Sequence, residues 1–283
     1  MIDFHTHMFP DKIAHKTIAK LTEYNKASAY TDGTAQGLRT STIEAGIDCA
    51  IVLPVATKPE QFESINHYAM QFRGDHLLSF GGIHPDTEDY REKLQYLKAN
   101  GFLGIKLHPD YQSTFINDIH YKRIISCASE LGLIVSVHAG YDPSSPDIRY
   151  CSPDRVLDLY EDVKPEKLVL AHMGGYRMWD DVEKYLTGLP VWFDTGVVFR
   201  NDDQASRESM MCISDEQFVR ISRTHGIEKI LFASDCPWAS QKEFIAHVRA
   251  LDMKDEEKQM IFHTNAENLL GIKIPQEIHQ NNK

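Results

Sequence analysis

Eight short runs of β-branched and aliphatic residues recur along the 283-residue chain, each closed by a polar or Gly/Pro turn and followed by a stretch with helical spacing. They run from Ile2 to His7, Asp48 to Pro54, Leu77 to His84, Gly104 to His108, Ile134 to Ala139, Leu168 to His172, Val191 to Thr195 and Ile230 to Asp235. Between them Phe62, Ile65, Ala69 and Phe72 line one helical face, as do Tyr90, Leu94 and Leu97, and then Ile124, Ile125, Ala128 and Leu131. Ser152 before Pro153, Ser214 with Gln217 and Ser240 with Glu243 mark helix starts, and Gly101, Gly132 and Gly226 mark helix ends.

Near-continuous apolar strands alternating with amphipathic helices build a parallel sheet covered by helices. Eight such units in a chain of this length close into a barrel. The expected fold class is therefore α/β, a (β/α)8 TIM barrel formed by a single domain over residues 1–283, with a doubly wound open sheet as the structural alternative. Two connections are long, Met8 to Ile47 and Gly196 to Ser214, and are expected to shape the pocket. The tail QEIHQNNK reads as a surface extension.

Composition narrows the partners. A formal charge of −11 gives no general attraction for nucleic acid or anionic lipid. No long uncharged apolar stretch reads as a membrane span and MIDFHTH does not read as a secretory signal, so a cytoplasmic protein is expected. The five cysteines show no CxxC spacing and read as reduced thiols.

Of 14 histidines, six stand at the ends of the expected strands: His5, His7, His84, His108, His138 and His172. A parallel barrel presents all strand C-termini on one face, so residues far apart in sequence converge there. His5 and His7 stand two apart on one strand, where side chains share a face and can address one ion. His138 in VSVHAG and Asp235 in LFASDCPW add a third imidazole and a carboxylate. This mixed N/O set suits one divalent ion, Zn2+ first, with Mn2+, Fe2+ or Co2+ compatible. His172 is a fifth ligand or, preferred, a neighbouring general acid/base. Lys106, His108, His84, Tyr111 and Trp238 are candidate substrate contacts, and Lys106 and His108, with Arg177 or Arg200, suggest a cationic mouth for a small anionic substrate. Cys236 has no evident base and reads as a packed thiol.

Taken in order, DFHTH, SVHAG, LVLAHMGG, FDTG, LFASDCPW and NAENLLG resemble the amidohydrolase superfamily, specifically its amidohydrolase-related branch, over nearly the whole chain. The resemblance implies a (β/α)8 barrel, His5, His7, His138 and Asp235 as metal ligands and His172 as the catalytic histidine. It also raises a carboxylated lysine at Lys106 bridging a second metal; an ammonium facing a substrate carboxylate is the preferred role, with one ion bound. Related metal-dependent deoxyribonucleases imply a ligand glutamate near the fourth strand, and GIKLHPDY has none.

The family contains hydrolases, lactonases, nonoxidative decarboxylases and hydratases, so the metal set is better defined than the reaction. The leading expectation is a hydrolase that cleaves an ester, lactone or amide bond of a small carboxylate-bearing substrate through a metal-activated water, with Asp235 and His172 handling protons. Nonoxidative decarboxylation of an unsaturated or aromatic acid is the alternative, and a binding protein without turnover is the third reading. A homo-oligomer is compatible with the sequence.

Overall fold

The computed structural model describes residues 1–25, 28–199 and 212–275. Its strands, in chain order, are β1 (Ile2–Thr6), β2 (Cys49–Val52), β3 (Arg73–Gly74), β4 (Leu77–Ser79), β5 (Gly81–Gly82), β6 (Gly104–Leu107), β7 (Ile134–Val137), β8 (Leu168–Leu170), β9 (Trp192–Asp194) and β10 (Ile230–Leu231). One sheet has the order β1-β2-β4-β3 and the other β10-β9-β8-β7-β6-β5. Every ladder is parallel except β3 with β4.

Two seams join the sheets into a ring. At one, the chain passes from β4 through Phe80 into β5, and Phe80 N donates to Val52 O at 2.9 Å. At the other, the first strand meets the last: Phe4 N donates to Phe232 O at 2.8 Å, Asp235 N to His5 O at 2.8 Å and His7 N to Cys236 O at 2.7 Å. With β4 and β5 as one interrupted strand, eight strand positions follow one another around the ring, which is the circuit of a (β/α)8 barrel and excludes the open doubly wound alternative.

Strand periodicity carries the chain from an apolar floor to a polar rim. Ile134, Ser136 and His138 share a face of β7 and its continuation, as Gly104, Lys106 and His108 do on β6. Ile134 packs with Ile2, Phe4, Ile51, Phe80 and Val169, and with Leu269 of the closing helix Asn265–Leu270. Along β1 the register shifts between Asp3 and Thr6. Such a bulge re-aims side chains, so Phe4 joins the floor while His5 and His7 reach the rim.

The helix signals are borne out. Asp215–His225 begins where Ser214 Oγ accepts Gln217 N–H at 3.1 Å, and Gln241–Ala250 where Ser240 Oγ accepts Glu243 N–H at 3.3 Å. The connection from Met8 to Ile47 corrects the sequence reading, because it is not a loop: it carries helices Asp11–Asn25 and Ala35–Glu44, the second capped by Thr34. Of the other long connection, residues 200–211 lie outside the described residues, as does the tail from 276 onward. Among the described residues no helix is long and apolar enough to cross a membrane.

Candidate metal centre

His5 and His7 end β1, and Asp235 stands across the seam, held by its N–H on His5 O. Asp235 adopts a left-handed φ of 66°, His172 one of 60° and Met173 one of 55°. Each such non-glycine conformation costs about 1–3 kcal/mol and persists only where surrounding bonds fix it. Here Met173 N donates to Asp194 O at 2.6 Å, and the Trp179 indole donates to His172 O at 3.1 Å.

The hydrogen-bond partners assign the imidazole tautomers. His7 Nδ1 lies 2.9 Å from Leu53 O, which can only accept, so the neutral ring presents its lone pair at Nε2. His5 Nδ1 lies 2.9 Å from Asp194 Oδ2 and presents Nε2 in the same way. Burial, with Lys106 nearby, pushes His5 well below the ordinary histidine range, which keeps that lone pair unprotonated. The two Nε2 atoms are 3.1 Å apart, and Asp235 Oδ1 stands 3.1 Å from His7 Nε2 and 3.5 Å from His5 Nε2. Asp235 Oδ1 is buried without a hydrogen-bond partner. Two lone pairs and a carboxylate oxygen turned on one point repel each other unless a cation lies between them, so these three residues fit a divalent ion.

Asp194 explains how the ligands are held. Its carboxylate accepts from His5 Nδ1, from His172 N–H at 3.0 Å and from Gly196 N–H at 2.9 Å. Fully buried, it orients the His5 ring and the main chain at His172 and Gly196 through these three bonds. Sequence reasoning missed it, although it ends the seventh expected strand and the strand-end rule that found Asp235 applies to it equally.

His138 is placed differently from the other expected ligands. Besides His5 with His172 and Asp194, the donor atoms within 4.8 Å of one another form two groups among the described residues, His5, His7 and Asp235, and His138, His108 and Asp142. His172 connects the two: its Nδ1 donates to Gly196 O at 2.8 Å, so its Nε2 accepts from His138 Nδ1 at 3.0 Å. Burial, with Lys106 beside it, pushes His138 down to about 3, and burial with His138 pushes His172 down to about 4. Both rings are therefore neutral near pH 7.

Lys106 is fully buried, with Nζ 3.2 Å from His5 Nε2. Burial pushes its ammonium down to about 8 against the pull of Asp194 and Asp235. His108 stacks between Tyr111, at 3.8 Å, and His138, at 4.2 Å. His84 turns to its own loop, where its Nδ1 accepts Asp86 N–H at 3.1 Å. Trp238 is buried in the core, its N–H on Asp235 O at 2.8 Å. Arg177 lies over Tyr141 at 4.8 Å and over Tyr176 at 5.1 Å, while Arg200 lies outside the described residues. Cys236 is a buried thiol that burial pushes well above its ordinary range, as a packed role requires. Gly140 holds the His138 loop close to the next one: a Cβ there would meet Tyr176 N at 2.2 Å.

Similarity to known proteins agrees with this fold. No curated protein sequence matches the chain. Among solved structures, 5-carboxyvanillate decarboxylase from Sphingomonas paucimobilis is similar at 12% identity and a TM-score of 0.71, covering 96% of this chain and 99% of that one. A probable 2-pyrone-4,6-dicarboxylic acid hydrolase from Acinetobacter baumannii, with citric acid bound, is similar at 16% identity and a TM-score of 0.64, with 96% and 99% covered. Dihydroxybenzoic acid decarboxylase from Polaromonas sp. JS666, with manganese and 2-nitroresorcinol bound, is similar at 14% identity and a TM-score of 0.67, with 95% and 96% covered. At these identities the likeness is one of fold. The sequence profile of the amidohydrolase family matches residues 2–272, and the chain belongs to that family.

Proposed function

We propose that the chain is a single-domain, metal-dependent hydrolase that cleaves an ester, lactone or amide bond in a small carboxylate-bearing substrate. The observation that carries this reading is the buried, unpartnered Asp235 Oδ1 facing the Nε2 atoms of His5 and His7. A divalent ion held by these three, Zn2+ first, supplies Lewis acidity toward a carbonyl oxygen and lowers the pKa of water. Asp235 is the acceptor nearest that point for a proton taken from water. His172 and His138, neutral and 3.0 Å apart, accept and pass on a proton. Once His5 Nε2 serves the ion, Lys106 loses that acceptor, and a substrate carboxylate is the natural replacement.

Nonoxidative decarboxylation is the second reading, favoured by the decarboxylases among the similar folds. Hydrolysis is preferred because it begins by removing a proton from water, which neutral imidazoles assist. Decarboxylation ends by delivering a proton to carbon, and the N–H groups of His138 and His172 are already engaged, on His172 Nε2 and on Gly196 O. The proposed setting is the cytoplasm, where buried thiols such as Cys49, Cys127 and Cys151 stay reduced.

The test is product analysis of the metal-loaded chain over lactones, esters, amides and unsaturated or aromatic acids. A new acid with its alcohol or amine, lost in His5→Ala and His172→Ala, is the expected result. Carbon dioxide without a new carboxyl product would transfer the chain to the second reading, and turnover that survives His5→Ala would remove the metal from the mechanism.

A further inference from the structure

We propose that Asp3 is the positioning residue that aims Asp235 at the ion, by clamping the main chain on both sides of the seam where the barrel closes. It rests on the metal-dependent reading of His5, His7 and Asp235. Asp3 lies on β1 and is fully buried, where it meets Gln241 at the start of helix Gln241–Ala250. Its carboxylate accepts four hydrogen bonds: Oδ1 from Ser234 N–H at 3.0 Å and from His5 N–H at 3.3 Å, Oδ2 from the Ser234 hydroxyl at 2.6 Å and from the Gln241 amide at 2.9 Å. The Ser234 hydroxyl, having donated to Asp3, accepts Cys236 N–H at 3.0 Å. Asp3 thus holds the residue before Asp235 directly and the residue after it through one hydroxyl.

Three consecutive N–H groups are fixed in this way. Ser234 N–H bonds Asp3, Asp235 N–H bonds His5 O at 2.8 Å, and Cys236 N–H bonds the hydroxyl that Asp3 holds. These are the planar peptide units on either side of Ser234 and of Asp235, so the dihedrals of both residues are set. Among them is the left-handed φ of 66° at Asp235, which a non-glycine residue keeps only where neighbouring bonds impose it. With the main chain held, the Asp235 side chain leaves it in one direction, and Oδ1 stands 3.1 Å from His7 Nε2 and 3.5 Å from His5 Nε2. The role calls for a group that only accepts, because all four partners of Asp3 donate. An amide there would set its NH2 against two donors, whichever way it turned. Asp194 orients the His5 ring, whereas Asp3 spaces the two main-chain segments that carry His5 and Asp235.

The test is Co2+ binding to the full chain, read as affinity by competition with a chelating dye and as the visible d–d band of the bound ion, which reports ligand geometry and not fold stability. Asp3→Asn, with folding checked by circular dichroism, is expected to bind Co2+ at least about tenfold more weakly than the parent and with an altered band. Ser234→Ala cuts the link to Cys236 and leaves Asp3 in place. It is expected to shift both readouts the same way by less, and the double variant to bind no more weakly than Asp3→Asn, since the two side chains act as one unit. Folded variants that keep the parent's affinity and band, with only a lower unfolding midpoint, overturn the proposal. If Asp3→Asn does not fold, the same result in Ser234→Ala alone overturns it. A parent that binds no Co2+ overturns it together with the metal-dependent reading. A parent that binds Co2+, with variants that lose it as expected, but cleaves no ester, lactone or amide supports this role of Asp3 and removes only hydrolysis.

Discussion

The two donor groups at the rim of the barrel are built by opposite means. His5, His7 and Asp235 come from the first and last strands and are anchored by main-chain atoms and a fully buried carboxylate, Asp194. Asp110 and Asp142 stand on loops and are anchored by serines thirty-five and two residues further along the sequence, Ser145 for the first and Ser144 for the second. The strand-borne group is rich in nitrogen and rigid, and the loop-borne group is rich in oxygen and locally adjustable. Sites on strands hold geometry more tightly than sites on loops, so chemistry belongs to the first group and tuning of charge to the second.

This contrast can be broken at four points. His5→Ala should abolish Zn2+ binding and lower turnover by on the order of a thousandfold or more; metal analysis beside steady-state kinetics reads both. His138→Ala separates the resemblance from the geometry. The geometry requires Zn2+ to be held, whereas loss of Zn2+ would return His138 to the first ion. Asp194→Asn should weaken Zn2+ by about 10–100-fold through a misoriented His5, in a competition titration against a chelating dye. Ser144→Ala and Ser145→Ala should each leave Zn2+ in place and lower stability by only about 1 kcal/mol, the worth of one hydrogen bond, read by denaturant unfolding. Loss of Zn2+ in either serine variant would merge the two groups into one.

What was legible in the sequence follows the same division. His5, His7 and Asp235 could be found because strand ends are marked by apolar periodicity, and the barrel decides where strand ends meet. Asp194 obeyed that rule and was passed over because a carboxylate that orients a ligand carries no signature of its own. Asp110 and Asp142 follow His108 and His138 by two and four residues, in turns whose course no periodicity sets. The helix Ala35–Glu44 was hidden by its sequence, AQGLRTSTIE, where Gly, Ser and two Thr weaken both propensity and apolar pattern. Lys106 was expected at the mouth, and the inward face of β6 puts it fully under cover.

The seam between the first strand and the last also sets an order of assembly. During synthesis every donor of the loop-borne group has been made once Asp142 has been added, while the histidines of β1 must wait for Asp235. The nascent chain thus carries two exposed imidazoles through most of its elongation without the carboxylate that completes their set. The centre that would do chemistry is finished only when the ring itself is, so a truncated chain cannot present it.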